Sequence, residues 1–180
     1  MTAQSNYLAG KRTEIHPYKT REGGATVTVF VPYNCLNNCP FCINKAEYEN
    51  PEGFSADKIC ESIRRMGAIT PYCDFVFTGG EPFADLNVLQ QMLDEIPKTH
   101  KVYINTTLPV SKFQTEDDIV RFTEKNKDKI TCINVSRHMQ HYVVESNDGL
   151  LKRLAVPFRI NCVLYKDYPK QDMIPYLERF

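Results

Sequence analysis

The sequence has no net charge, no long apolar run and no signal-peptide pattern, and each absence argues against a class of function. Lys plus Arg and Asp plus Glu both number 22 among 180 residues. Such a balance gives no overall field that would attract nucleic acid or an anionic membrane. No apolar run approaches the roughly 18 residues of a membrane span, and residues 1–7 lack the basic and apolar regions of a signal peptide. The sequence predicts a cytoplasmic protein without membrane contact and argues against a nucleic-acid partner.

The sequence also lacks an even number of cysteines, so they cannot all form pairs within the chain. The chain has seven cysteines, an odd number, and the predicted cytoplasmic location argues against disulfides. Three of them, Cys35, Cys39 and Cys42, fall within eight residues, which in a reducing compartment indicates a metal site. The other four are scattered and are interpreted as small core residues: Cys60, Cys73, Cys132 and Cys162.

Strand-like and helix-like segments alternate along the rest of the chain. Strand patterns begin near residues 25, 73, 101, 130 and 158. The last four starts are roughly 28 residues apart, which accommodates one strand, one helix and two short loops. Repeated units of this kind build a parallel α/β sheet, and five are too few for a closed barrel of about 250 residues. The sequence predicts a partial (βα) TIM-like barrel over residues 25–180, after an N-terminal extension over residues 1–24.

Capping residues predict where the helices begin and end. Ser55 is expected to cap the first helix and Gly67 to end it. Thr115 precedes three acidic residues that suit a helix N-terminus, and Asp172 is expected to cap the last helix.

The cysteine loop follows the first predicted strand with the spacing C-x3-C-x2-C. Three thiolates this close can each bond a different iron of one cubane cluster. The nearest further cysteine is Cys60, across a loop and a helical turn, so one iron would stay open for a chelating substrate. A zinc site would normally add a second cysteine pair or matching histidines, and the four histidines lack that spacing to the loop: His16, His100, His138 and His141.

Two motifs together resemble the radical S-adenosylmethionine (radical SAM) superfamily. The first motif is the cysteine spacing, with the aromatic Phe41 before the last cysteine. The second is the sequence Gly-Gly-Glu-Pro at residues 79–82, which follows the second strand and matches the GGE motif of that superfamily. Weaker patches at 105–107, 133–136 and 159–164 most resemble the molybdenum-cofactor cyclase and peptide-modifying branch. The resemblance implies six βα units. Because only five are visible, the last strand is expected to be missing, in a fragment or a short member.

The resemblance implies a [4Fe–4S] cluster on Cys35, Cys39 and Cys42. This cluster would cleave S-adenosylmethionine reductively to a 5′-deoxyadenosyl radical that abstracts hydrogen from a small-molecule or peptide substrate. Contacts to S-adenosylmethionine are expected from seven residues: Phe41, Gly79, Gly80, Glu81, Thr106, Ser136 and Asn161. Arg137 is expected either to pair with the cofactor carboxylate or to be exposed. No residue is assigned to catalysis, and the expected partner is an electron donor such as flavodoxin or ferredoxin.

Three other functions remain open at this point. A glycyl-radical activating enzyme would use the same cofactors on a partner protein. An iron–sulfur electron carrier would use the cluster alone, but it normally has a fourth cysteine ligand. A zinc-stabilised binding module would hold no iron.

Overall fold

Five parallel strands form one sheet in the order of the sequence. The structure is a computed structural model that describes residues 25–31, 35, 37–42, 55–70, 72–138, 147–163 and 170–179. The strands are β1 (Ala25–Val31), β2 (Cys73–Gly79), β3 (Lys101–Thr106), β4 (Ile130–Arg137) and β5 (Phe158–Cys162). Residues 1–24 lie outside the described part, so the predicted N-terminal extension and domain boundary stay predictions.

Helices alternate with these strands, as the sequence predicts. They are α1 (Ala56–Ile69), a short 3-10 helix (Pro82–Ala84), α2 (Leu86–Asp94), α3 (Glu116–Lys125), α4 (Asp148–Leu151) and α5 (Lys170–Leu177). The predicted α/β partial barrel is confirmed. None of the helices in the described residues is long and apolar enough to cross a bilayer.

One face of the sheet carries the hydrophobic core. Phe75 and Phe77 of β2 lie beside Val102 and Ile104 of β3, and all four side chains have no exposed surface. The same core contains the apolar sides of α2 and α3, among them Leu89, Met92, Leu93 and Ile119. Because successive residues of a strand point to opposite faces, the residues between these core positions lie on the other face of the sheet.

That other face is polar toward the carboxyl ends of the strands. Asn105 of β3 is in register with Asn134 of β4, whose side-chain amide donates to Asn105 Oδ1 at 2.8 Å. Ser136 is likewise in register with Asn161 of β5. In open parallel α/β sheets, ligands bind outside the carboxyl ends of the strands, so this edge is where a site is expected.

Two predicted helix boundaries are wrong. Gly67 lies inside α1, which continues to Ile69. A Cβ on Gly67 would come within 3.0 Å of Pro97 Cδ, so the glycine serves close packing beside the end of α2 rather than helix termination. Asp172 lies inside α5, which begins at Lys170. The predicted caps at Ser55 and Thr115 are confirmed.

Candidate functional site

One cavity at the carboxyl ends of the strands gathers most of the predicted site. Its volume is about 150 Å³, and its walls come from the cysteine loop and from the ends of β2, β3 and β4. Nine of the ten predicted site residues line it: Cys35, Cys39, Phe41, Cys42, Gly79, Gly80, Glu81, Thr106 and Ser136. Asn161 is exposed and does not line this cavity. The structure thus brings the two motifs together, while the contacts of each residue with a cofactor stay predictions.

The cysteine loop is shaped by a tight turn. The backbone N–H of Cys42 donates to the carbonyl of Cys39 at 3.1 Å, with Pro40 second in the turn. Proline is favoured there because its ring fixes the backbone angle that the turn requires. The backbone N–H of Asn37 donates to Cys35 Sγ at 3.4 Å. These contacts hold the loop so that three thiols face one cavity.

The thiol of Cys35 is held protonated in the absence of a metal. Burial raises its pKa to about 11, with smaller contributions from the negative charges of Glu81 and the other two cysteines, while the hydrogen bond from Asn37 opposes the shift. Ligation requires the thiolate, so metal binding at this residue would release a proton.

The donor set fits an iron–sulfur cluster better than a single metal ion. No three Cys, His, Asp or Glu side chains in the described part of the chain are close enough to ligate one ion. In a cubane, by contrast, each thiolate bonds a different iron. Three thiols spread around one cavity are soft ligands of the kind that iron–sulfur clusters take.

Glu81 ties the end of β2 to the end of β3. Its side chain is only 2% exposed. One carboxylate oxygen accepts from the backbone N–H of Phe83 at 3.0 Å and from the hydroxyl of Thr106. The other accepts from both the N–H and the hydroxyl of Thr107, each at 2.8 Å. A carboxylate has about four acceptor positions, and protein donors fill them here.

Burial and hydrogen bonding act on this carboxyl in opposite directions. Burial raises the pKa of Glu81, and the hydrogen bonds from Thr106, Thr107 and Phe83 lower it, with burial the larger effect. Thr107 also accepts from the side-chain amide of Asn37 at 3.1 Å. Through Thr107, Glu81 is therefore linked to the cysteine loop.

Gly79 is required by the backbone of β1. Its φ is +103°, which residues with a Cβ rarely adopt. A Cβ here would also lie 2.9 Å from the Val31 nitrogen and 3.1 Å from Phe30 Cα. In the structure, Gly79 therefore closely approaches the backbone of β1, the strand that leads into the cysteine loop.

His138 is one of the five described lining residues that were not among the predicted site residues; the others are Asn37, Thr78, Asn105 and Thr107. His138 follows β4 directly and is 8% exposed, its Nδ1 lies 3.7 Å from Cys39 Sγ, and its ring meets Phe41 edge-on at 5.2 Å. Burial lowers the pKa of this imidazole, and the neighbouring Arg137 lowers it further. Spacing in the sequence could not reveal the contact of His138 with Cys39. Its position two residues after Ser136, at the carboxyl end of a parallel strand, does however indicate a place near the site.

Arg137 is neither exposed nor part of the cavity wall. Its side chain is 1% exposed. It donates from Nη1 to the carbonyls of Thr107 and Ser136 at 2.9 and 3.2 Å, and from Nε to the hydroxyl of Tyr176 at 3.2 Å. It also lies 3.6 Å from the carboxylate of Asp148. The expectation of an exposed arginine is wrong, because β4 turns this residue to the helix side of the sheet.

Comparison with known proteins gives a family and a fold. A family model described as a 4Fe-4S single cluster domain matches residues 22–143. No curated protein is significantly similar in sequence. A solved structure of hexahistidine-tagged anSMEcpe with bound AdoMet is similar over 87% of this chain and 48% of that one, at 18% identity and a TM-score of 0.64. Native anSMEcpe with bound AdoMet and Kp18Cys peptide matches over 77% and 43%, at 20% identity and a TM-score of 0.55.

These likenesses have a defined extent. The chain spans about half the length of the solved structures that it matches. At such identities the likeness shows a common fold, in agreement with the sheet and helices described above.

Proposed function

The chain belongs to the 4Fe-4S single cluster domain family, and we propose that it supplies the cofactor site of a radical SAM enzyme. The observation that carries this is the single cavity in which Cys35, Cys39 and Cys42 face the 79–81 turn. The solved structures with the same fold are described with bound AdoMet, which is S-adenosylmethionine. The cluster and S-adenosylmethionine are accordingly the two cofactors of the proposal.

The chemistry belongs to the two cofactors and the placement to the protein. When both are bound, the cluster would supply the electron that cleaves S-adenosylmethionine into methionine and a 5′-deoxyadenosyl radical, and this radical would take hydrogen from the substrate. Cys35, Cys39 and Cys42 would hold the cluster. Phe41 would cover it on the side of His138, where the two rings already touch.

Glu81 has a different role in this proposal from the one expected from the sequence. Its two oxygens already accept four hydrogen bonds, which leaves little capacity for the cofactor amino group. The hydroxyl of Thr106 is likewise engaged with Glu81 and with the N–H of Leu108. We assign both residues to shaping the cavity wall. Phe41, Ser136 and the backbone of the 79–80 turn are then the remaining predicted contacts that line the cavity.

A peptide is the substrate class with the most support. One of the structures with this fold holds a peptide beside AdoMet, and the peptide-modifying branch is one that the sequence patches resemble. Two alternatives belong to the same proposal: a small-molecule substrate, and an activating enzyme that installs a glycyl radical on a partner protein. The proposed electron donor is a flavodoxin or ferredoxin.

Anaerobic reconstitution tests the proposal. The protein is loaded with iron and sulfide, reduced, and given S-adenosylmethionine, and 5′-deoxyadenosine is measured. We expect a cluster and 5′-deoxyadenosine from the wild type. A cluster without cleavage would favour an electron carrier, and zinc in place of iron would favour a binding module; either result contradicts the proposal.

A pair of cysteine variants tests the ligand assignment. Cys39→Ala should lose the iron and the visible absorbance, because one iron loses its thiolate. Cys60→Ala is the matched control, since Cys60 in α1 is equally buried at 8% exposure and lies outside the cavity wall. Equal iron content in the two variants would refute the assignment of Cys39 as a ligand.

A further inference from the structure

His138 and the cysteine loop both form part of the cavity wall. The imidazole makes two contacts with that loop: Nδ1 lies 3.7 Å from Cys39 Sγ, and the ring edge meets Phe41 at a centroid distance of 5.2 Å. Both contacts join residues about a hundred positions apart in the chain. The histidine is therefore packed onto the loop by the fold, at 8% exposure.

The backbone that carries His138 is itself anchored. The preceding residue, Arg137, is held by the carbonyls of Thr107 and Ser136 and by Tyr176. Thr107 in turn accepts from Asn37 in the cysteine loop. The imidazole and the loop that it contacts are thus tied to one hydrogen-bonded framework, which fixes the position of Nδ1 relative to Sγ.

Ligation decides which atom carries the proton between Nδ1 and Sγ. Without a metal, either the thiol or the imidazole can donate in this contact. A cysteine that ligates iron has lost its proton, so its sulfur can only accept. Any hydrogen bond across the 3.7 Å contact must then be donated by Nδ1 of His138.

We propose that His138 is a positioning residue that donates a hydrogen bond from Nδ1 to the ligating thiolate of Cys39 and thereby raises the reduction potential of the cluster. Hydrogen bonds to the sulfurs are among the factors that set such potentials. A donor withdraws negative charge from the sulfur, and this stabilises the reduced, more negative state. The inference rests on the proposed ligation by Cys39, and it adds a residue that the radical SAM motifs do not include.

The competing role is that of a ligand. In the described part of the chain no three potential ligands lie close enough together for one metal ion, which speaks against His138 and the cysteines as a mononuclear site. The contact of the imidazole is with the sulfur of Cys39 and the ring of Phe41, as expected for a group outside the ligand set.

Two variants of nearly equal shape isolate the hydrogen bond. Asn can place its amide N–H close to where Nδ1 lies, and Leu has a similar size without a donor. After anaerobic reconstitution and iron analysis, the midpoint potential is measured by a redox titration followed by electron paramagnetic resonance. We expect His138→Leu to shift the midpoint to more negative values and His138→Asn to keep it close to that of the wild type.

The outcomes separate this inference from the proposed function. A wild type that assembles no cluster overturns both. A wild-type cluster with equal potentials in the wild type and both variants overturns the inference alone, as does an equal shift in both variants, which would indicate packing only. Loss of iron in both variants, with iron retained in the wild type, would make His138 a ligand and also overturn it.

A measurement on the wild type covers the case in which a variant fails to fold. Isotope-labelled histidine is incorporated, and the nitrogen coupling of the reduced cluster is measured by pulsed resonance. We expect a weak coupling from a histidine nitrogen in the wild-type cluster, as for a donor to the sulfur. A strong coupling typical of direct ligation, or no coupling at all, would contradict the proposal.

Discussion

At the scale of single residues, Glu81 shows how a motif residue can act on the fold. Its carboxylate accepts hydrogen bonds from the backbone N–H of Phe83 in the 3-10 helix and from that of Thr107, which directly follows β3. Glu81→Gln would replace one oxygen by an NH2 group that cannot accept from these donors. We expect the free energy of unfolding in urea to fall by roughly 1–3 kcal/mol, the usual cost of leaving a buried polar group unsatisfied.

The matched control for this change is Glu124→Gln. Glu124 is an exposed glutamate of α3 that pairs with Lys127, and isolated surface pairs contribute little to stability. Similar decreases in the free energy of unfolding for the two variants would mean that the buried hydrogen bonds of Glu81 do not stabilise the protein.

The residue scale also shows where prediction from sequence stops. The motif at 79–81 and the cysteine loop were recognisable because their chemistry depends on spacing in the chain. The family model confirms the predicted 4Fe–4S domain and the structure confirms the predicted fold, whereas the radical SAM activity and its branch stay proposals. The contacts of His138 with Cys39 and of Asn37 with Thr107 join residues 99 and 70 positions apart, so spacing in the chain could not reveal them.

At the scale of elements, Asp85 sets the start of α2 directly after the 3-10 helix of the motif. Its Oδ1 accepts from the N–H groups of Asn87 and Val88, both at 3.0 Å. Asp85→Ala leaves these two donors without their acceptor and should cost about 1 kcal/mol in thermal or urea unfolding. Asp85→Asn keeps the acceptor and should retain most of the stability. If Asn were as harmful as Ala, the charge rather than the cap would be the stabilising feature.

Strand positions were more predictable than helix ends. The strand starts predicted near residues 25, 73, 101, 130 and 158 coincide with the observed starts of the five strands. The end of α1 was mispredicted because Gly67 fits a helix end by local rules, whereas its observed reason is contact with Pro97. That contact depends on how α1 packs beside α2, which the sequence of either segment leaves undetermined.

At the scale of the whole molecule, Arg137 joins the sheet to α4 and α5. It donates to Tyr176 of α5, whose hydroxyl donates to Asp148 of α4 at 3.0 Å. Tyr176→Phe would remove a shared partner of a buried arginine and an aspartate. We expect a loss of roughly 1–3 kcal/mol in urea unfolding near neutral pH.

The same variant should change the response to alkaline pH. Burial raises the pKa of Tyr176 to about 12 from the ordinary value of 10.0. The unfolded phenol therefore loses its proton first, and stability falls as pH rises from about 10 towards about 12. Tyr176→Phe should lack this component, so the difference in stability between wild type and variant should narrow over that range. A constant difference would contradict the role of the phenol.

The order of the strands has a consequence for how the protein is made. The cysteine loop leaves the ribosome before β4, and His138, which contacts Cys39, is 99 residues further along. At roughly 5–20 residues per second, that interval is about 5–20 s. During this time the three thiols have no wall from β4 to shield them. A cluster placed on the nascent loop would face solvent and oxygen on that side, so insertion after translation suits this architecture.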